Sequence, residues 1–383
     1  MNIKYKNLFF KFIIVAFLSY IFILIYIKFF INQNIIEKKE YDQFDKIKSR
    51  YIKNDFIRPY LEQITILNYL YSKKVKNKNH IHICMSLNDR YIYPILVSIE
   101  SILINCNKDK TFITFHILCS PDVKQITLSK FKYLFNRYSS NLEVIFYGMG
   151  NNFSNRNDKR LSQVTFYRLF IPIIINVDKI IYLDGDTLAF QDLTEMYQTP
   201  FNDNYILGFL GIQSFGIDYL GIKSKKYINT GVLLLNLKKI RKDNKCIYLL
   251  KIAYSNIKLM HNDNTLLNFI FYPKIGRLPL KFGIWNFGNI KDIEIYSKKI
   301  RQIINITEHE EVLKEPGLIH HVLCWPKPWS FKSMYSRRFT SCKSKRKCKC
   351  TKYHNLWYSY AKNNYYYKDI LNFTGENKRV LKM

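Results

Sequence analysis

From His80 onwards the sequence alternates short β-branched runs with longer amphipathic segments. This alternation is typical of strands and helices laid in turn over a largely parallel sheet. The pattern predicts strands at 81–87, 111–120 and 142–149, helices at 91–105 and 122–138, and a fourth strand within DKIIYLDGD. The body of the protein is therefore expected to be an α/β domain that begins at His80. No GxGxxG follows the first predicted strand, so a dinucleotide cofactor is not expected.

The fourth predicted strand is apolar up to Leu183 and then becomes acidic at Asp184-Gly185-Asp186. Open α/β sheets bind ligands at the carboxyl ends of their strands, so a site is expected there. Glycine lets the chain bend, so that both carboxylates can face one hard divalent cation. A solvated turn at the end of the strand is the alternative.

The N-terminal run from Phe12 to Ile27 carries no charge and lies between Lys11 and Lys28. With those flanks it is long enough to span a bilayer as a helix. Lysines ahead of the run place the short N-terminus in the cytoplasm, which predicts a type II signal anchor. A cleaved signal peptide is the alternative, but bulky residues follow the run and no small-residue cleavage site is present.

The regions on either side of the predicted body are rich in charged and aromatic residues. We expect a cytoplasmic tail and anchor at 1–31, a stem at 32–79, the body at 80–330, and a basic, aromatic extension at 331–383. That extension either packs on the body or rests on anionic lipid headgroups. The net charge of +31 is spread over the whole chain without a nucleic-acid-binding motif, so no nucleic-acid partner is expected.

Cysteine usage allows two interpretations. Four of the eight cysteines lie in apolar surroundings and are interpreted as small core residues: Cys84, Cys106, Cys119 and Cys246. Cys342, Cys348 and Cys350 could form a disulfide loop or, with His354, a metal clip.

Six segments in order carry a resemblance to a known family: SLNDRYIYP, TFYRLFIP, YLDGDTLAFQDL, YINTGVLLLNL, HNDNTLLN and HHVLCWPKPW. From His80 to Trp329 they resemble glycosyltransferase family 8, which includes bacterial lipopolysaccharide hexosyltransferases and glycogenin. The resemblance implies a GT-A-type nucleotide-sugar-binding fold with a mixed, mainly parallel central sheet. It also implies a metal-dependent, retaining transfer of a hexose from a UDP-sugar.

The resemblance assigns several residues to the nucleotide. Ser86 and Asn88 would contact uridine, and Tyr91 would stack on the uracil ring. The family usually has an acidic residue in place of Asn88, and Asp89 is the neighbouring alternative. Cys324 would lie close to the phosphates, where the family commonly has glycine.

The metal ligands implied by the resemblance are Asp184, Asp186 and His321, and Asp184 would also contact the donor hydroxyls. The spacing to Lys-Pro-Trp selects His321 rather than His320. Mn²⁺ is the family's usual ion, with Mg²⁺ as the alternative, and carboxylate ligands suit both. Lys327 would neutralise the leaving diphosphate.

The sugar pocket implied by the resemblance contains Arg168, Asn229, Thr230, Asp263 and Asn264. Arg168 would reach the donor sugar, and Asn264 would lie near the anomeric carbon where the family usually has glutamine. Retention by a front-face route or through a covalent glycosyl intermediate is left open. The front-face route is favoured.

Two other functions are considered. One is a catalytically inactive, lectin-like homologue, and the other is a phosphatase of the haloacid dehalogenase type.

For the transferase, the donor hexose is expected to be glucose or galactose, and the acceptor a glycan, glycoprotein or glycolipid. The expected location is the Golgi or endoplasmic reticulum membrane with a lumenal catalytic domain, and a bacterial inner membrane is the alternative. The oligomeric state of the chain is left open by the sequence.

Overall fold

The computed structural model describes residues 21, 42–70, 79–156, 163–210, 221–222, 226–255, 262–285, 307, 311–312, 314–321, 327–329 and 351–374. Within these residues, no helix is long and apolar enough to cross a membrane. The predicted anchor lies outside them apart from Ile21. Cys324 and the cysteines at 342, 348 and 350 also lie outside the described residues.

The described strands and helices are numbered in chain order. The strands are β1 (Thr65–Leu70), β2 (Asn79–Leu87), β3 (Thr111–Cys119), β4 (Leu142–Gly148), β5 (Ile180–Leu183), β6 (Thr187–Ala189), β7 (Ile206–Leu210), β8 (Ile228–Leu235), β9 (Ile275–Arg277), β10 (Ile284–Trp285) and β11 (Leu318–His320). The helices are α1 (42–52), α2 (Arg58–Glu62), α3 (Ile92–Asn105), α4 (Gln125–Ser129), α5 (Phe131–Tyr138), α6 (Ile171–Ile174), α7 (Thr194–Gln198), α8 (Leu237–Lys242), α9 (Lys245–Tyr254), α10 (Asn262–Phe271), α11 (Thr351–Lys362) and α12 (Tyr367–Thr374). Short 3₁₀ helices lie at Asp89–Tyr91, Ser154–Arg156, Gln163–Phe170 and Leu280–Phe282.

The main sheet has eight strands in the order β1-β4-β3-β2-β5-β8-β7-β9. The pairs β3–β4, β2–β3, β2–β5 and β7–β9 are parallel, whereas β1–β4, β5–β8 and β7–β8 are antiparallel. The prediction of a mixed, mainly parallel sheet is confirmed. The predicted helix at 122–138 is instead two helices, α4 and α5.

Apolar residues cover both faces of the main sheet, as expected for strands buried between layers of helices. Along β2, Ile81, Ile83 and Met85 belong to one buried cluster, which includes residues of α3 and α5. The intervening Cys84 belongs to a second cluster on the opposite face. The four cysteines interpreted as core residues are buried, which confirms that prediction.

The N-terminal segment, residues 42–70, differs from the predicted stem. Ile57, Leu61 and Ile64 are fully buried in the core, and β1 pairs with β4 as an edge strand. The physical reason is that apolar residues at helical spacing precede a strand-forming run that can complete the open side of β4. The folded body therefore begins well before the expected boundary at His80.

The C-terminal hairpin, defined as α11 and α12, packs on the body. Trp357, Ala361 and Ile370 are each at most 1% exposed and join Val97 and Leu188 in one apolar cluster. Of the two placements considered for the extension, the described residues adopt packing on the body.

Candidate active site

The carboxylates at 184 and 186 lie where two sheets meet. Asp184 follows β5, and its backbone N–H continues the ladder by donating to the Gly231 carbonyl at 2.8 Å. The chain then enters β6, which pairs antiparallel with β11 in a small three-stranded sheet. Since His320 is the last residue of β11, the small sheet brings an imidazole to the edge of the main sheet.

Asp184, Asp186 and His320 form a compact cluster of potential metal ligands. One ligand atom from each lies within 4.8 Å of the others. His320 Nε2 lies 3.0 Å from Asp186 Oδ1 and 3.8 Å from Asp184 Oδ2. Carboxylate oxygens with an imidazole nitrogen form a donor set that divalent first-row metals accept.

Gly231 makes room for this cluster. A Cβ atom at position 231 would lie 2.2 Å from His320 Cε1 and 2.5 Å from Asp184 Oδ2. Any larger residue would push the imidazole and the carboxylate away from each other. The glycine in INTGV therefore preserves the geometry of the ligand cluster, and the residues present fit a divalent cation.

The structure brings His320, rather than the predicted His321, to the carboxylates. His320 pairs with Thr187, and the next backbone N–H, that of His321, donates to the Asp186 carbonyl at 2.9 Å. Successive side chains along a strand point to opposite faces, so only one of two adjacent histidines can face the aspartates. Motif spacing to Lys327 could not reveal this, because it depends on the pairing of β6 with β11.

Lys327 completes the surroundings of Asp186. Its buried ammonium donates to Asp186 Oδ2 at 2.5 Å and to the His321 carbonyl at 2.5 Å. Burial alone would raise the pKa of Asp186, but the opposite effects of Lys327 and His320 hold it well below its usual value. Asp186 is therefore an ionised carboxylate with a cation beside it.

Arg168 connects the cluster to the predicted sugar pocket. Its buried guanidinium donates to Asp184 Oδ1 at 2.9 Å, lies 3.4 Å from Asp263 Oδ2, and also donates to the Thr230 carbonyl. It also lies over the ring of Tyr182, 4.2 Å from the ring centroid. Burial would lower the pKa of Arg168, but Asp184, Tyr182 and Asp263 raise it above its ordinary value.

Asp263 is a buried carboxyl group at the first turn of α10. Burial raises its pKa, and nearby Asp184 adds to the rise while Arg168 opposes it. The Thr230 hydroxyl lies within hydrogen-bonding distance of Asp263 Oδ2, at 3.0 Å. A cationic guanidinium and a neutral hydroxyl thus fix the orientation of Asp263.

Helix α10 and strand β8 hold the remaining predicted sugar-pocket residues together. The Asn264 amide oxygen accepts from the Thr230 N–H at 2.8 Å and lies 2.8 Å from the Thr230 hydroxyl. Asn229 accepts from the Gly231 N–H at 2.9 Å. The Asn264 amide oxygen is therefore directed at β8, where it positions Thr230.

The nucleotide loop predicted at 86–91 reaches the same edge of the sheet. Asn88 caps the short 3₁₀ helix by accepting from the Tyr91 N–H at 3.1 Å. Tyr91 is 37% exposed and packs edge-to-face on Trp329, with ring centroids 5.9 Å apart. Asp89 instead accepts from the Thr127 hydroxyl at 2.5 Å.

Sequence reasoning missed Tyr182 and Trp329 as site residues. The Tyr182 hydroxyl lies 3.2 Å from Asp184 Oδ1 and 3.3 Å from Ser86 Oγ, so it links the predicted nucleotide and metal residues. Tyr182 could have been found from its position in the sequence. It precedes Asp184 by two residues, and side chains two residues apart lie on the same face of a strand.

The sequence pattern that defines the glycosyl transferase family 8 matches residues 82–333 of the chain. The chain belongs to glycosyl transferase family 8. Glycosyltransferase GlyE of Streptococcus pneumoniae is 28% identical to this family 8 chain over 182 residues, which are 47% of this chain and 40% of GlyE. The chain thus spans less than half the length of this curated relative.

Solved structures show the same fold as this family 8 chain. The bifunctional glycosyltransferase WbbM superposes with a TM-score of 0.62 at 18% identity, over 79% of this chain and 53% of WbbM. An active-site mutant of LgtC superposes with a TM-score of 0.53 at 20% identity, over 74% of this chain and 96% of LgtC. The GT-A-like α/β fold that the sequence predicts is thereby confirmed.

Proposed function

We propose that this chain is a retaining glycosyltransferase that moves glucose or galactose from a UDP-sugar to a glycan, glycoprotein or glycolipid acceptor. The observation that carries the proposal is the cluster of Asp184, Asp186 and His320 with Lys327 against Asp186. Family membership supports transfer as the reaction class. It also argues against the haloacid dehalogenase-type phosphatase.

The chemistry requires charge neutralisation at the leaving group. Loss of UDP places negative charge on the diphosphate, and preorganised positive charge at that position stabilises the transition state. Lys327 provides a buried ammonium next to Asp186. A bound Mn²⁺ or Mg²⁺ would add Lewis-acid neutralisation of the diphosphate, with Asp184, Asp186 and His320 as the residues that would hold it.

The proposed donor pocket lies between the nucleotide loop and Arg168. A Cβ at Gly185 would lie 3.3 Å from Tyr91 Cδ1, so the proposed uracil platform borders the Asp184-Gly185-Asp186 turn. Arg168 forms the other side of the proposed donor pocket. Its planar guanidinium group is suited to binding hydroxyl and phosphate oxygens. The galactosyltransferase LgtC, solved with donor and acceptor sugar analogues, supports a hexose donor.

We propose a front-face route to retention of configuration. Asp263 is the carboxylate of the HNDN motif, and the contacts of Arg168 and Thr230 hold it in place. A carboxylate engaged in this way serves better to orient donor hydroxyls than to attack the anomeric carbon. Arg168 and Asp263 then act as one positioning pair beneath the sugar.

The deciding experiment is UDP release by the detergent-solubilised full chain. UDP-glucose and UDP-galactose are offered with Mn²⁺, with Mg²⁺ and with a chelator, and Asp186→Asn is compared with Asp178→Asn. Asp178 is a suitable control because its side chain is 74% exposed and lies 3.8 Å from the Lys238 ammonium. Metal-dependent release abolished by the first substitution alone establishes the transferase.

The same experiment tests the lectin-like alternative. That alternative predicts Mn²⁺-dependent binding of UDP with neither transfer nor slow hydrolysis of either donor. A chain that fails to bind UDP contradicts both functions.

We also propose that residues 12–27 anchor the chain as a type II membrane protein with the catalytic body in the lumen of the Golgi or endoplasmic reticulum. The support is the uncharged run with lysine flanks and the lysines ahead of it. Protease protection of the body in sealed microsomes tests this topology. Digestion of the body from the cytoplasmic side contradicts it.

A further inference from the structure

The C-terminal hairpin lies beyond residues 82–333, which carry the family match, yet it packs beside the candidate active site. Trp357 of α11 is 1% exposed, and its ring centroid lies 5.7 Å from that of Trp329. Trp329 also packs edge-to-face on Tyr91. A continuous series of three rings therefore runs from the hairpin to the proposed uracil platform.

The hairpin also holds the backbone of the Lys327-Pro328-Trp329 tripeptide. The Tyr358 hydroxyl donates to the Pro328 carbonyl at 3.1 Å. The same tripeptide carries Lys327, whose ammonium contacts Asp186 at 2.5 Å. One helix thus supports both the ring that packs on Tyr91 and the cation at the proposed diphosphate position.

A buried polar network fixes the hairpin to the body. Glu100 of α3 is fully buried and accepts from Arg137 at 3.1 Å, from Tyr138 at 3.0 Å and from Asn364 at 3.4 Å. Arg137 also donates to the Asn363 carbonyl at 2.9 Å. Since α3 begins directly after Tyr91, the hairpin is fixed to the helix that carries the nucleotide loop.

We propose that the C-terminal hairpin is a positioning element of the donor nucleotide site, with Trp357 and Tyr358 acting through Trp329 and Lys327. This inference rests on the proposed function. The positioning residues do not touch the donor; through Trp329 they set the Tyr91 ring, and through Pro328 they set the Lys327 ammonium, which do. Small displacements of such groups are costly, since an error of about 1 Å can reduce a rate about 100-fold.

The test compares two tyrosines of the same helix in the full chain. Tyr358→Phe removes the hydrogen bond to Pro328. Tyr360→Phe removes a hydroxyl that accepts from Asn105 at 2.9 Å, away from the tripeptide. KM and kcat for the preferred UDP-sugar, the affinity for UDP with Mn²⁺, and the melting temperature are measured for both variants.

Tyr358→Phe is expected to lower kcat/KM and UDP affinity about five-fold, the effect of one hydrogen bond. Tyr360→Phe is expected to stay within about two-fold at a similar melting temperature. Trp357→Phe, which keeps an aromatic side chain, is expected to weaken binding of UDP and of free uridine about three- to ten-fold. The uridine probe isolates the base platform from the phosphate contacts.

Equal effects of the two tyrosine substitutions, or unchanged uridine affinity in Trp357→Phe, would overturn the inference while the proposed function stood. A wild-type chain that neither binds nor releases UDP would instead overturn the proposed function and remove the basis of the inference. The wild-type measurement therefore separates the two failures.

Discussion

The main sheet carries two buried polar networks, one at each end of its parallel strands. The first surrounds Asp184 and Asp186 at the carboxyl ends. The second surrounds Glu143 of β4, which is 2% exposed and contacts the Tyr69 hydroxyl at 2.5 Å and the Thr114 hydroxyl at 2.5 Å. Both interrupt an otherwise apolar layer, but their partners differ.

The partners of the first network are charged side chains that a ligand can replace. Asp184 faces Arg168, Asp186 faces Lys327, and the Asp184 side chain is 31% exposed. Glu143 is held by hydroxyls fixed on neighbouring strands. Because the single Thr114 hydrogen goes to Glu143, His80 Nε2, 2.7 Å away, must donate to Thr114.

A carboxylate network that can bind a ligand therefore differs from a structural one in the partners of its carboxylates. Carboxylates that are paired with cationic side chains can exchange those partners for a metal ion, and the cationic side chains can then pair with a phosphate. A carboxylate saturated by hydroxyls of adjacent strands has its geometry fixed. Through Tyr69, Glu143 also ties the N-terminal segment to the sheet. We therefore expect the first network to control turnover and the second to control stability.

The largest expected effect is that of Asp186→Asn. The amide cannot replace the charge of a ligand that also faces Lys327 and His320, so kcat should fall at least about 100-fold. UDP release with saturating donor and Mn²⁺ measures it. Circular dichroism of the variant confirms folding, and near-normal turnover would break the distinction between the two networks.

The next effect separates the two adjacent histidines. His320→Ala is expected to raise the Mn²⁺ concentration for half-maximal activity at least about 10-fold, because its Nε2 belongs to the cluster. His321→Ala is expected to lower the melting temperature without moving the Mn²⁺ dependence, since that side chain is fully buried. Titration of activity with Mn²⁺ in both variants decides which histidine is the ligand. If His321→Ala instead of His320→Ala changes the Mn²⁺ dependence, the ligand is His321.

Sequence patterns predicted the elements that depend on local periodicity. The runs at 81–87 and 111–120 became β2 and β3 because apolar, β-branched strands buried on both faces have a recognisable composition. The acidic turn after β5 was also predictable, because the change from apolar to charged residues marks the end of the strand. These are properties of a few consecutive residues.

Features that depend on strand pairing and long-range contacts in the folded protein could not be predicted from the sequence. The choice between His320 and His321 follows from the register of β6 against β11. The placement of residues 42–70 in the body follows from the open edge of β4, which only the folded sheet reveals. The Glu143 network joins side chains up to 74 positions apart, and nothing in the local sequence connects them.

Glu143→Gln is expected to have a smaller effect, and to lower the free energy of unfolding rather than turnover. The amide presents a donor to one of two hydroxyls that previously donated to a carboxylate, which should cost about 1–3 kcal/mol of the free energy of unfolding. Urea denaturation measures this cost. Turnover should remain within about two-fold, since the described contacts of Glu143 lie at the opposite end of the parallel strands from Asp184 and Asp186. Glu195→Gln, at a side chain that is 60% exposed beside Lys281, is the matched control.

The smallest expected effect is that of Tyr69→Phe. Glu143 keeps the Thr114 hydroxyl, so the loss should be about 1 kcal/mol of unfolding free energy, with unchanged turnover. Tyr248→Phe, at a residue that is 53% exposed, controls for removal of a tyrosine hydroxyl. In the double variant with Glu143→Gln, the combined cost should be less than the sum of the two, because both substitutions disturb the same group of hydrogen bonds around position 143. Additive costs would mean that Tyr69 stabilises the N-terminal segment independently of Glu143.

A loss of turnover in either variant would show that the two networks are coupled across the sheet.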